Sequence, residues 1–262
     1  MLLAIDIGNT NIVIGVFREK ELVISWRFAT DIRRTVDEYG LELLGLVNNT
    51  MKQDDREMTD AIIASVVPSL TEVWAEVGRK YFHCRSMIID AARVNMPILY
   101  DNPGEVGADR IVNALAAWSL YRKKGQAMII VDYGTATTFD VVSRNGEYLG
   151  GAIAPGIGIS SEALFNKTAK LPRVALQRPD KCLGKNTVQS MQAGLVYGYL
   201  GQSKEILKVL KKEIKGQPVI VGTGGLVNLM QKAEKIFDRI NQNLTLVGLR
   251  MIHENQKKQV AK

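Results

Sequence analysis

The chain has 262 residues, 46% hydrophobic and 23% charged, with a net charge of +7 at pH 7. That length predicts two domains of roughly 120–130 residues each, and the composition is that of an ordinary globular protein. Seven prolines, no Ser- or Gln-rich tract and no run near the roughly 18 apolar residues of a membrane span argue against long disorder and against a membrane partner.

Met1 to Ile7 lacks a basic segment and a small-residue cleavage site, so it reads as a first strand rather than a signal peptide, and a cytoplasmic location is expected. Asn11 to Phe17 and Leu22 to Phe28 follow as β-rich runs around the polar turn Arg18-Glu19-Lys20-Glu21, giving three consecutive antiparallel strands. Thr35 to Asn48 places Val36, Tyr39, Leu43, Leu44 and Val47 at helical spacing. Ala61 to Val67 is a buried-type strand stopped by Pro68, Ser69 to Tyr81 a helix with Ser69 as its N-cap, and Met87 to Ile89 a short strand. Gly107 to Arg110 opens a helix that runs to Tyr121.

A similar order then begins again. Ala127 to Val131, Thr137 to Val142 and Glu147 to Ala154 read as strands, the last two joined by the hairpin signal Asn145-Gly146. Helices are expected at Ile157 to Asn166 and Thr187 to Lys212. A strand at Gln217 to Val221 leads through Gly222-Thr223-Gly224-Gly225 into another helix, and Thr245 to Val247 is expected to be the last strand before a C-terminal helix. The repeat matters most. Asp6-x-Gly8-x-Thr10 and Asp132-x-Gly134-x-x-Thr137 each follow an apolar strand, each enters a second strand, and they stand about half the chain apart. The fold expected is α/β: two duplicated βββαβα domains, residues 1–115 and 116–262, facing a nucleotide cleft.

Composition narrows the chemistry. Cys84 and Cys182 lie far apart and outside any CxxC, which argues against a disulfide framework or a zinc site. His83 and His253 are isolated, which leaves acid–base work to carboxylates. The basic excess comes partly from Lys204 to Lys215, five lysines and two glutamates at the spacing of a solvated helix face. Lys167, Lys170, Arg173, Arg178, Lys181 and Lys185 form a second basic stretch that suits phosphates or solvent equally. With no helix-turn-helix or zinc signature, no nucleic-acid partner is expected.

At each Asp-x-Gly turn, glycine allows close approach of a ligand, and exposed amides and threonine hydroxyls can donate to phosphate oxygens. Asp6 stands where a carboxylate can hold Mg²⁺ through water. A hairpin whose polar residues only satisfy its own backbone explains one copy equally well; two copies in register favour a phosphate clamp. Gly222 to Gly225 can seat a flat ligand before a helix N-terminus, or simply cap that helix. Asp109 suits the first turn of its helix through the dipole, whereas Arg110 beside it sits at the unfavourable end and points to an external anion.

The chain resembles the type III pantothenate kinases, members of the acetate kinase, sugar kinase, Hsp70 and actin superfamily. The resemblance covers nearly the whole chain and rests on Asp6-Ile-Gly-Asn-Thr-Asn11, Tyr100-Asp-Asn-Pro-Gly-Glu-Val-Gly-Ala-Asp-Arg110, Asp132-Tyr-Gly-Thr-Ala-Thr-Thr138, Gly150-Gly-Ala-Ile-Ala-Pro-Gly156, Gly184-Lys-Asn-Thr187 and Thr223-Gly-Gly225. The segment from Tyr100 to Arg110 is specific to that family. Tyr133 stands where phenylalanine is often found, a change expected to matter little. The resemblance implies ribonuclease H-like domains and phosphorylation of pantothenate by ATP, the first step of coenzyme A synthesis. It makes Asp109 the general base and assigns Tyr100, Gly107, Ala108, Arg110 and Thr187 to pantothenate. It assigns Asp6, Ile7, Gly8, Asn9, Thr10, Asn11, Ile12, Val13 and Thr135 to ATP, with Asp6 near Mg²⁺ and Asp132 at a monovalent cation, K⁺ or NH₄⁺. It also implies a homodimer that completes the pantothenate pocket at the subunit interface. A sugar or acetate kinase shares the two Asp-x-Gly turns but not the Tyr100 to Arg110 segment. A non-catalytic nucleotide-binding regulator could dispense with Asp109, which this chain keeps.

Overall fold

The computed structural model describes residues 1–90, 93–214 and 216–260; Lys215, the last residue of the basic helical stretch, lies outside them. The chain forms two compact units, the first of Met1–Asn95, Asp101–Ala116 and Leu244–Lys262, the second of Met96–Tyr100 and Ala117–Asn243.

In the first unit, β1 (Leu2–Ile7), β2 (Asn11–Arg18), β3 (Glu21–Ala29), β4 (Asp60–Ser65) and β5 (Arg85–Ile88) form one sheet in the order β3-β2-β1-β4-β5. The β1–β2 and β2–β3 pairs are antiparallel; β1–β4 and β4–β5 are parallel. β1 is central, which explains its nearly unbroken apolar run: Leu3, Ala4, Ile5 and Ile7 are fully buried. Helix α1 (Val36–Thr50) starts at a complete capping box, in which Glu38 N–H donates to Thr35 Oγ1 (3.3 Å) and Thr35 N–H donates to Glu38 Oε2 (2.7 Å). Helix α2 (Pro68–Phe82) has Val67, not Ser69, at its N-cap. Proline lacks the N–H that a first turn leaves unpaired and so begins the helix, while the strand already ends at Ser65 rather than at Val67. Tyr39 of α1, Trp74 of α2 and Phe28 of β3 meet in the core, the Tyr39 and Trp74 rings 4.9 Å apart.

The second unit repeats the plan. β6 (Met128–Tyr133), β7 (Ala136–Val142), β8 (Tyr148–Pro155), β9 (Val219–Thr223) and β10 (Arg239–Ile240) lie in the order β10-β9-β6-β7-β8. Read from β8, the pairing senses are those of the first sheet: β8–β7 and β7–β6 antiparallel, β6–β9 and β9–β10 parallel. The two aspartates occupy equivalent register positions. Asp6 lies opposite Val13 and Ala64; Asp132 lies opposite Thr138 and Thr223. Helices α4 (Ile157–Lys167), α5 (Thr187–Glu213) and α6 (Val227–Ala233) belong to this unit. Lys204 and Lys208 of α5 are exposed and pair with Glu234 and Glu205, as a solvated face does.

Helix α3 (Ala108–Tyr121) contributes residues to both units. One expected element is corrected. Thr245 to Val247 is not a strand; it lies in the first turn of α7 (Leu244–Val260), and the last strand is the two-residue β10. The Leu-Thr-Leu-Val run alternates locally, but Leu246, Leu249 and Ile252 continue it at helical spacing and are buried, with Leu246 beside Gly15 of β2.

Candidate functional site

The first turn closes tightly on itself. Gly8 N–H donates to the Asn11 carbonyl (3.0 Å), Thr30 Oγ1 donates to the Gly8 carbonyl (2.7 Å), and Thr30 N–H donates to the Thr10 carbonyl (3.0 Å). Asn9 and Thr10 stay exposed and Asp6 is half-buried at the end of β1. Ile7 and Ile12 are fully buried in the unit's core, so only their main chain is available to a ligand.

Asp109 lies in the first turn of α3, half-buried. Its Oδ1 accepts the Arg110 N–H at 2.8 Å. Burial nevertheless pushes its carboxyl above the usual carboxylate range, outweighing that hydrogen bond and the charge of Arg110. Gly107 leaves room for it: a Cβ there would sit 2.6 Å from Asp109 Oδ1 and 3.6 Å from Val66 Cγ1. Val66 N–H in turn donates to the Ile7 carbonyl (3.0 Å), so the start of α3 and the first Asp-x-Gly turn share one end of the first sheet. Ala108 is half-buried, and Arg110 is 8% exposed.

In the second unit, the Gly134-Thr135 turn closes through Gly134 N–H and the Ala136 carbonyl (3.1 Å). Two loops press on it. A Cβ on Gly156 would lie 2.0 Å from the Thr135 carbonyl oxygen, and a Cβ on Gly224 would lie 2.4 Å from Asp132 Oδ1. Gly224 has φ +89°, a left-handed conformation that glycine adopts without strain. Gly224 therefore serves close approach to Asp132, whereas a Cβ on Gly225 would meet nothing within 4 Å. Behind the turn, Tyr133 is buried, and its hydroxyl donates to Ser203 Oγ of α5 (2.7 Å). Ser203 donates to the Tyr199 carbonyl (2.8 Å), and Tyr199 donates to the Pro155 carbonyl (2.9 Å), next to Gly156. This loop of hydroxyls had no signature in the sequence, where Tyr133 resembled a harmless variant of phenylalanine.

Tyr100 and Thr187 both belong to the second unit but occupy different surroundings there. Tyr100 is half-buried against Tyr148, their ring centroids 6.4 Å apart. Thr187 is exposed at the start of α5, just after Asn186, whose side chain caps the helix by accepting from Gln189 N–H (2.9 Å). It lines a groove of about 860 Å³ along α4 and α5.

A family model for type III pantothenate kinases matches residues 2–209. The chain belongs to that family. The enzyme is 50% identical over 255 residues to the type III pantothenate kinase of Moorella thermoacetica, covering 97% of this chain and 99% of that one. It is 49% identical over 261 residues to that of Geobacter sp. strain M21, covering 98% and 100%. Among solved structures, MreB 5 of Spiroplasma citri bound to AMPPNP has the same fold, with TM-score 0.57 at 10% identity over 99% of this chain and 98% of that chain. The pantothenate kinase is thus an α/β protein of the actin, sugar kinase and Hsp70 type with duplicated ribonuclease H-like domains. Its reaction is ATP-dependent phosphorylation of pantothenate in coenzyme A synthesis.

Proposed function

We propose that Asp109 is the general base of this reaction. The observation that carries the reading is the carboxyl of Asp109 itself, pushed up by burial in the first turn of α3, whose start shares one end of the first sheet with the first Asp-x-Gly turn. The pantothenate hydroxyl oxygen attacks the γ-phosphorus, the bond from that phosphorus to the bridging oxygen breaks, ADP leaves, and the hydroxyl proton passes to Asp109. A base poised nearer neutrality than an ordinary aspartate accepts that proton more readily.

Tyr100, Gly107, Ala108, Arg110 and Thr187 bind pantothenate in this reading. The main chain of Asp6 to Val13, the hydroxyl of Thr10 and Thr135 bind ATP. Among the described residues no group of three or more His, Cys, Asp or Glu side chains could hold a metal ion. That suits a Mg²⁺ brought by the nucleotide, which needs only one or two carboxylates besides phosphates and water, and Asp6 supplies one. Bound there, Mg²⁺ would neutralise charge developing on the phosphates. Asp132 offers a carboxylate where the backbone of Gly224 closes over it, a hard oxygen donor suited to K⁺ or NH₄⁺.

The active form is a homodimer in the cytoplasm. Support for the dimer comes from α5, where an added Cβ on Gly194 or Gly198 would meet nothing within 4 Å, although both line the groove that holds Thr187. Leu164, Leu171 and Met191 line it as well. A helix of a second copy could approach such a stripe closely and complete the pocket around Thr187. For the location, among the described residues no helix is long and apolar enough to cross a membrane.

The test is Asp109→Asn, which keeps size and hydrogen-bonding reach but cannot take the proton. The expected result is a folded protein with kcat lower by about 10²–10⁴-fold and ATP binding little changed. A folded variant with near-normal kcat would leave Asp109 as a residue of the helix start and the base unassigned.

A further inference from the structure

Asp140 is a buried carboxylate that the reaction, as read above, does not use. It stands in the middle of β7, 0% exposed. Its Oδ1 accepts the Tyr148 hydroxyl at 2.7 Å and its Oδ2 accepts Thr138 Oγ1 at 2.9 Å. Both carboxylate oxygens are thus held by hydroxyl donors, as polar atoms in the interior must be.

Tyr148 leads from that carboxylate to the substrate residue Tyr100. It begins β8 and is itself fully buried. Its N–H donates to the Pro97 carbonyl (2.8 Å) and its carbonyl accepts the Leu99 N–H (2.8 Å), so Ile98 bridges to the sheet edge at Tyr148 in parallel sense. The segment that ends in Tyr100 is therefore fastened at both peptide groups of one residue. The Tyr100 ring packs on the Tyr148 ring, tilted by 54°. Gly150, two residues on and with φ +107°, makes room for it, since a Cβ there would stand 3.0 Å from Tyr100 Cε2.

We propose that Asp140 and Tyr148 are positioning residues for pantothenate. Asp140 fixes the Tyr148 ring through its hydroxyl, and Tyr148 fixes both the backbone before Tyr100 and the face on which Tyr100 lies. The inference rests on the assignment of Tyr100 to pantothenate. It adds a buried carboxylate that acts on substrate affinity without touching substrate.

The experiment compares Tyr100→Ala, Tyr148→Phe and Asp140→Asn with the parent enzyme, each as the full chain. KM is measured separately for pantothenate and ATP, at a temperature where circular dichroism shows every variant folded. Tyr148→Phe keeps the ring and the backbone bonds and loses only the hydroxyl, so it carries the test if Asp140→Asn does not fold. The expected result is a rise of about tenfold in KM for pantothenate in Tyr148→Phe and in any folded Asp140→Asn, with KM for ATP within about twofold of the parent. A merely structural role would lower the melting temperature without dividing the two KM values in this way. If Tyr100→Ala raises KM for pantothenate while Tyr148→Phe leaves it unchanged, the positioning proposal is overturned and the assignment of Tyr100 stands. If Tyr100→Ala has no effect on that KM, the assignment of Tyr100 falls and the proposal falls with it.

Discussion

Asp109, the proposed base, carries a raised pKa that bears on stability as well as on the reaction. Its pKa is raised in the folded protein, so between the ordinary aspartate value and the raised one the folded state holds a proton that the unfolded state has lost. Stability contributed by that proton is present at low pH and is lost as pH rises through this window. Asp109→Asn removes a charge that is partly buried, so the variant should melt at a higher temperature than the parent near neutral pH. The difference should vanish below the ordinary carboxylate range; a variant no more stable at pH 7 than its parent would contradict the burial of a charge there. The same shift should displace the acid limb of the kcat profile above the usual range of an aspartate, which a pH titration of turnover reads directly. Arg110 was recognisable as a candidate in the sequence because it puts a cation at the wrong end of a helix dipole, whereas Asp109 suits that helix start and is singled out as base by the family resemblance. Tyr133 and Asp140 were not recognisable. A hydroxyl more than phenylalanine, or an aspartate within a strand, means little until the fold supplies Ser203 or Tyr148 as a partner. Tyr133→Phe should therefore cost about 1 kcal/mol of stability, visible as a lower midpoint in urea unfolding.

At the scale of elements, local chemistry decided most of what could be read. The helical spacing from Thr35, the proline at position 68 and the turn at Asn145-Gly146 all act within a few residues, and the structure has helix, helix and hairpin there. Thr35→Ala should lower stability by about 1 kcal/mol with turnover unchanged, because the cap belongs to α1 and not to the site. The start of the C-terminal helix is hidden from local pattern, since four alternating residues look like a strand while the burial that makes them helical comes from the first sheet, far away in sequence. β10 has two residues, too few for any pattern to register. The loop after β9 reads in the sequence equally as capping glycines or a ligand seat, and in the structure Gly224 lies against Asp132. Gly224→Ala would force a side chain into a left-handed backbone and against that carboxylate, a strain of roughly 1–3 kcal/mol. Its expected signature is a weakened response to K⁺ with KM for pantothenate little changed; an unaltered K⁺ titration would separate Asp132 from the cation.

For the whole molecule, the internal repeat was the most legible feature. Two Asp-x-Gly turns about half the chain apart anticipated two sheets of the same topology, with Asp6 and Asp132 at equivalent register positions. If the groove along α5 receives a second copy, sedimentation at micromolar concentration should give twice 29.0 kDa, and a large side chain such as Gly198→Trp should shift the enzyme toward the monomer and raise KM for pantothenate. Sedimentation at 29.0 kDa alone would remove the dimer from the account. The most direct measurement is of the reaction itself. Purified protein is incubated with ATP, Mg²⁺ and K⁺, with and without pantothenate, and ADP and the phosphorylated product are quantified together. The account predicts ADP release that depends on pantothenate, one 4′-phosphopantothenate formed per ADP, and both abolished to within about 1% by Asp109→Asn. ADP release indifferent to pantothenate, or a product equally abundant with Asp109→Asn, would contradict it.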